Sequence, residues 1–182
     1  MLDRILRALG AVEKAVSSIA AVFMFAIMII VFSDVVMRYA FNQPFSWAYD
    51  LISLYLMAGV FFLVLSDAYT DRAHVSVDIL QQKFSPAMIR LSEIVTCIVG
   101  IIVFSLIAYL GFLRAIDSYQ SADVMAGAIP WPMWPSIGLV PFGAGLITIR
   151  LVAHLIAHLL SLATGRELIA LPAQHAVGET FE

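Results

Sequence analysis

Residues 19–32 read IAAVFMFAIMIIVF, an apolar run that contains neither a charge nor a hydroxyl group. The charge-free stretch around it extends from Ala15 to Ser33. A bilayer core of about 30 Å needs about 20 helical residues, so this stretch predicts a membrane-spanning helix. Three basic residues precede it, as in a secretory signal. However, the run is longer than the apolar region of a signal peptide, and no small-residue cleavage site follows. We therefore interpret it as an uncleaved signal-anchor.

Three more charge-free stretches follow. The second is bounded by Asp50 and Asp67, the third runs from Ile94 to Leu113, and the fourth lies between a proline cluster and about Leu162. None of them shows the period-two alternation of a barrel strand. Since helices and closed barrels are the only backbone solutions in lipid, the sequence predicts an all-α integral membrane protein with four transmembrane helices. The expected spans are residues 16–37, 47–69, 88–113 and 134–160 in one domain, 1–165, and residues 166–182 are expected to form a flexible cytoplasmic tail.

The composition excludes most classes of soluble protein. Apolar residues make up 62% and charged residues 13% of the chain, and the mean hydropathy is +0.97. Globular proteins have about 45–50% apolar and about 25% charged residues. A net charge of −3 with ten basic residues leaves no footprint for nucleic acid. The single cysteine, Cys97, excludes an internal disulfide, and in an apolar span it is expected to serve packing.

The orientation follows from the distribution of basic residues, which favour cytoplasmic segments. The N-terminal segment, the second loop and the tail contain Arg4, Arg7, Lys14, Arg72, Lys83, Arg90 and Arg166. The first and third loops contain only Arg38 and Arg114. Both termini are therefore predicted to be cytoplasmic. The three tryptophans lie on the predicted outer side, which is typical of an aromatic belt but also suits a docking surface.

Two connecting segments have the pattern of short amphipathic helices in the membrane interface. Residues 2–14 carry apolar side chains on one helical face, although they can equally be an extended foot of the first span. The second loop shows a similar patch between Val75 and Phe84. After it, Ser85 and Pro86 predict the N-cap and first turn of the third helix.

The first loop has the features of a tight hairpin with charged ends. Asp34 and Arg38 are four residues apart, so they can pair on one helical face. Ser46 is a candidate N-cap for the second helix, and Asp50 is then in the first turn, where the helix dipole favours an acid.

Catalytic and cofactor-binding patterns are weak in this chain. The middles of the first three spans contain no ionisable residue, so neither a proton relay nor a charged substrate site is visible. His154 and His158 share a helical face, but a haem needs opposed ligands and a metal needs further ones. We expect no cofactor and no enzymatic activity.

Arg150 is the exception, because it lies inside the fourth span. If the core begins near Pro135, Arg150 is about 22 Å into the membrane, at about 1.5 Å per residue. Helical side chains tilt toward the N-terminus of their helix, so that of Arg150 is expected to point toward the outer side and away from the nearer, cytoplasmic face. We predict that Arg150 pairs with Glu93 or Asp67, and a lipid phosphate is the alternative partner.

Two motifs give the chain a family resemblance. The first is the stretch RYAFNQPFSW at residues 38–47 with Asp50 three residues further on, and the second is DRAHVSVD at residues 71–78. In this order, and with Pro130-Trp131-Pro132 in the third loop, they resemble the small permease subunit of tripartite ATP-independent periplasmic (TRAP) transporters, the DctQ-like family. The family more often has Glu at the position of Asp50. The resemblance covers nearly the whole chain to about Leu162.

This resemblance implies a scaffold subunit in a bacterial inner membrane. A large permease subunit carries out sodium-coupled transport, and a periplasmic binding protein captures an organic anion, typically a carboxylate. The small subunit binds the large one and helps to dock the binding protein. Candidate residues for these contacts are Arg38, Tyr39, Asn42, Pro44, Trp47, Asp50, Arg72, His74, Asp78 and Trp131. Two alternatives stay open, a self-contained four-span exporter and a haem-bearing membrane anchor, and the sequence does not name the substrate.

Overall fold

The structure is a computed structural model that describes residues 2–70, 86–127 and 129–164. These residues form four helices that are long and apolar enough to cross a membrane, and they contain no strand. The helices are α1 (Leu2–Phe41), α2 (Ala48–Thr70), α3 (Pro86–Gln120) and α4 (Trp134–Thr164). The predicted all-α fold with four membrane helices is therefore confirmed.

Helix α1 joins residues 2–14 to the first span without a break. It has 40 residues, which corresponds to roughly 60 Å, about twice the thickness of a bilayer core. No proline interrupts this range, so the hydrogen-bonded ladder can continue through the charged segment. Of the two interpretations of residues 2–14, the structure shows the extended foot. A helix of this length must tilt or project from the membrane.

Helix α2 is irregular near its start. A π-helical turn, Ile52–Leu56, separates a first α-helical turn, Ala48–Leu51, from the longer segment Met57–Thr70. Asp50 lies in the first turn, as predicted, but the N-cap residue is Trp47 and no side chain caps the helix. Ser46 is therefore not the cap, because the helix begins one residue too late for it. Helix α3 is described from Pro86 onward, and its predicted N-cap, Ser85, lies outside the described residues.

The four helices pack in the order α1, α2, α4, α3. Helix α3 lies along α4, α4 also packs on α2, and α2 packs on α1, whereas α1 approaches α4 only locally. One apolar cluster joins α1 to α2 around Val16, Ala20 and Leu63. Another joins α3 to α4 around Cys97 and Leu151, and Cys97 is fully buried there, as expected of a packing residue. The arrangement is an open row rather than a closed bundle.

The first loop, between α1 and α2, and the third loop, between α3 and α4, lie at the same end of the helices. Asn42 follows α1 with a φ of 54°, and the Gln43 amide donates to the Met37 carbonyl at 3.2 Å, which ends the helix. The third loop folds into a short hairpin, in which the Met125 amide donates to the Trp131 carbonyl at 2.8 Å. The predicted helix in the second loop and the predicted tail lie outside the described residues.

Candidate functional site

Most of the candidates predicted to lie on the outer side are found around the first loop, where Asp34 connects helix α1 to the loop. Its Oδ2 accepts a hydrogen bond from Arg38 Nη2 at 2.8 Å, which confirms the predicted pair. Its Oδ1 accepts from the Phe45 amide at 2.7 Å. One carboxylate therefore satisfies both a side chain of α1 and the backbone of the loop eleven residues later. The pairing followed from the four-residue spacing, whereas the loop contact did not.

The other residues of the first motif lie at the surface of this loop. Tyr39, Asn42 and Pro44 are exposed, and Tyr39 is 85% exposed. Trp47 is half-buried because its ring stacks on Phe45 with the centroids 5.3 Å apart. The motif thus forms a compact turn that presents polar and aromatic groups outward.

The start of α2 faces the hairpin of the third loop. The Tyr55 hydroxyl donates a hydrogen bond to the Pro132 carbonyl, and its ring meets Trp131 edge-on with centroids 5.9 Å apart. Asp50 lies beside Gly127, where a Cβ would stand 3.0 Å from Asp50 Oδ2. The predicted residues Asp50 and Trp131 are thus brought to one surface. Tyr55 was not predicted, because a tyrosine near a span end is common and carries no specific signal.

We call the group formed by Arg38, Tyr39, Asn42, Pro44, Trp47, Asp50, Tyr55 and Trp131 the outer loop surface. It combines an exposed arginine with several aromatic rings. Trp131 Nε1 is buried and has no hydrogen-bond partner among the described residues. A surface of this kind can form hydrogen bonds and stack against a partner, but it contains no arrangement of a nucleophile with a base.

A second group of polar residues is buried toward the opposite end of the helices, between α1, α2 and α4. Arg150 Nη1 is 3.4 Å from Glu13 Oε2, and the side chains are 8% and 1% exposed. Glu13 also accepts hydrogen bonds from Ser66 at 2.6 Å and from Thr70 at 3.4 Å. Arg150 Nη1 further donates to the Leu6 carbonyl at 3.3 Å. We call these residues the buried ion-pair cluster.

The structure thus gives Arg150 a different carboxylate from the predicted Glu93 or Asp67. Gly100 on α3 faces Leu151, the residue next to Arg150. Glu93 is seven residues before Gly100, so it lies about 10 Å away along the axis of α3, at about 1.5 Å per residue. Asp67 follows Ser66, whose side chain points to Glu13, and consecutive helical residues point about 100° apart. Neither is therefore placed for the pairing. Glu13 provides the negative charge for which a lipid phosphate was the alternative partner.

Little in the sequence favours Glu13 as the partner of Arg150. It stands next to Lys14 in a segment with alternating charges, which is typical of a solvated helix. Its burial depends on the length of α1, because only a continuous helix brings residues 6–13 against α2 and α4. Glu93 and Asp67 are each only partly buried.

The remaining candidates are the second-loop residues and the two histidines of α4. Arg72, His74 and Asp78 lie outside the described residues, so their roles remain predictions. His154 lies 5.4 Å from the Tyr69 ring, and His158 is buried. Within residues 2–70, 86–127 and 129–164 no three His, Cys, Asp or Glu side chains group in a way that could hold a metal ion.

Comparison with known proteins identifies one similarity. The model of the family described as tripartite ATP-independent periplasmic transporters, DctQ component, matches residues 27–161. This range includes the outer loop surface and Arg150 and begins after Glu13. No curated protein and no solved structure matches the chain.

Proposed function

Since the chain belongs to the family of tripartite ATP-independent periplasmic transporters, DctQ component, we propose that it is the scaffold subunit that binds the large permease subunit. With a periplasmic binding protein, this assembly takes up an organic anion such as a carboxylate, driven by sodium. The family is one of transporter components and not of enzymes. Four apolar helices and this membership make the chain a multi-pass inner-membrane protein.

The observation that carries the proposal, beyond the family match, is the open row of helices. The outward faces of α1 and α3 are apolar and uncovered, as at Phe25 and Phe32 on α1 and Ile102 on α3. A carrier needs a polar pathway between its helices, and the open row of the four described helices does not close around one. Long apolar faces on the two edge helices instead suit packing along a larger membrane protein.

The distribution of buried charge also supports a role without a carrying site. Among the described residues, Glu13 and Arg150 are the carboxylate and guanidinium that are buried, and they neutralise each other. A transport site would need a polar group that is available to the substrate or coupling ion. The substrate and sodium sites therefore belong, in this proposal, to the large subunit.

In this proposal the outer loop surface is the docking surface for the partners. Arg38 can form hydrogen bonds to a partner carboxylate, and Tyr39 and Trp47 offer aromatic contacts. On the opposite side, Arg72, His74 and Asp78 would fix the subunit against the membrane or the large subunit. Both termini are proposed to lie in the cytoplasm.

Co-purification with a large permease subunit of the same transporter family is the decisive experiment. We expect a stable complex that takes up substrate in proteoliposomes only with the binding protein and a sodium gradient, and no uptake by this chain alone. Uptake by the isolated chain would favour the self-contained exporter. A red, haem-absorbing preparation would favour the membrane anchor.

The docking surface is tested by Arg38→Ala combined with Trp47→Ala, which should lower complex recovery and uptake. The matched control combines Arg114→Ala with Trp134→Ala. Arg114 is 60% exposed and Arg38 59%, and each forms a 2.8 Å ion pair with an acid on its own helix. Equal losses in the two double variants would reject the docking assignment.

A further inference from the structure

The first residues of α1 approach α4 at one place. We call residues 2–13 the foot of α1. Most of α1 packs on α2, and its approach to α4 includes the Glu13–Arg150 ion pair and the hydrogen bond from Arg150 to the Leu6 carbonyl. Both contacts end on the same guanidinium group. Arg150 therefore connects two turns of the foot to a helix on which α1 packs far less than on α2.

Glu13 is surrounded by donors from two helices. Its Oε1 accepts from Ser66, and its Oε2 accepts from Thr70 and lies beside Arg150. Ser66 and Thr70 belong to α2 and Arg150 to α4. A buried carboxylate with this set of partners holds three helices in one register, because each hydrogen bond is short-ranged and directional.

The burial of this ion pair makes its separation costly. A buried ion is costly without its partner, whereas two apolar side chains of similar volume can replace a buried pair at little cost. If the foot left its place, Arg150 would lose its counter-charge and the Leu6 carbonyl, and Arg150 Nε already lacks a partner among the described residues. Separation of the foot from Arg150 is thus disfavoured more strongly than the separation of an exposed ion pair.

We propose that Glu13 and Arg150 form a clamp that fixes the foot of α1 against α2 and α4 and thereby sets the direction in which α1 presents its apolar face. The clamp is a property of this chain that the family match does not cover, because the match begins at residue 27. Its consequence for partner binding rests on the proposed function, since α1 is one of the two edge helices.

The position of the foot can be measured directly in the full chain in lipid nanodiscs. Spin labels at Ala8 on the foot and Leu159 on α4, both exposed positions, report the distance between the two elements. The background is Cys97→Ala throughout. We expect a narrow distance distribution in the parent and a broad one in Glu13→Gln. An unchanged distribution in Glu13→Gln and Arg150→Met would overturn the clamp.

A double-mutant cycle tests whether the two residues act together. Glu13→Leu and Arg150→Met should each lower the Tm by about 10 °C, and the double variant should recover most of that loss. The control cycle uses Asp117→Leu and Arg114→Met, an exposed pair, where we expect shifts of a few degrees at most and little coupling. Additive losses for Glu13 and Arg150 would contradict the proposal.

A third measurement separates the clamp from the proposed function. In the complex with the large subunit, Glu13→Gln should reduce co-purification several-fold. If the parent chain binds no large subunit, the proposed function fails while the spin-label result still stands. If the parent binds and Glu13→Gln broadens the distance without changing recovery, the link between the clamp and presentation of α1 is wrong.

Discussion

The carboxylate of Asp34 illustrates how a single side chain can organise one end of this protein. Its two oxygens have separate tasks, since one binds the exposed Arg38 and the other accepts the amide of Phe45. The first contact is an exposed ion pair, which is worth little in water. The second satisfies a partly buried backbone amide, which costs free energy if left unpaired. The loop contact therefore matters more than the ion pair.

Replacement of Asp34 should accordingly cost more than replacement of its cationic partner. We expect Asp34→Ala to lower the free energy of unfolding by about 1–3 kcal/mol, because the Phe45 amide loses its acceptor. Arg38→Gln should cost less than about 1 kcal/mol. Thermal unfolding in detergent measures both.

The control for Asp34→Ala is Asp117→Ala, which removes an exposed acid that also forms a 2.8 Å ion pair on its own helix. Its cost should resemble that of Arg38→Gln. If Asp34→Ala and Asp117→Ala destabilised the protein equally, the loop contact would have no special weight.

At the scale of whole helices, glycines determine how closely neighbours approach. A Cβ on Gly143 of α4 would collide with the backbone carbonyl of Phe62 on α2. At Gly59 of α2 a Cβ would meet the ring of Phe23 on α1, a side chain that can turn away. In lipid, where burial of apolar surface does not drive helices together, close backbone approach at small residues is a main source of packing energy.

Gly143→Ala should therefore force α2 and α4 apart and lower the free energy of unfolding by about 1–3 kcal/mol, the usual cost of overpacking. Gly145→Ala is the matched control, because nothing lies within 4 Å of its Cβ position and alanine favours the helix by about 1 kcal/mol. Thermal unfolding in detergent distinguishes the two. Equal stability of both variants would show that the Phe62–Gly143 crossing is not tight.

For the molecule as a whole, the open row implies that two of the four helices have one side turned away from the rest. Helices α2 and α4 form the middle of the row, and α1 and α3 form its edges. The outer loop surface lies at one end of the helices, and the buried ion-pair cluster lies toward their other end. Helix α1 is thus held near both of its ends, by the proposed Glu13–Arg150 clamp at one and by the hydrogen bond from the Phe45 amide to Asp34 at the other.

The orientation in the membrane can be tested at this scale. With Cys97→Ala as background, a cysteine at Gln43, in the first loop, should react with a membrane-impermeant maleimide in intact cells whose outer membrane is permeable. A cysteine at Ala8 should react only after the inner membrane is opened, because both termini are predicted to be cytoplasmic. The reverse pattern would invert the proposed topology.

The sequence alone determined the membrane class, the number of spans and their approximate positions, because these depend on local hydropathy and on where charges interrupt it. It also predicted the Asp34–Arg38 pair, since four-residue spacing on a helix acts over a single turn. The motifs of the first and second loops led to the family that the comparison then identified.

Only the tertiary structure decided which helices are neighbours and which acid meets Arg150. The spans are apolar all round, so no periodic pattern marks the face of each helix that packs on another. Glu13 and Arg150 are separated by most of the chain, and their contact exists because α1 is continuous and α4 crosses its foot. Such a contact depends on the placement of three helices, which local sequence does not encode.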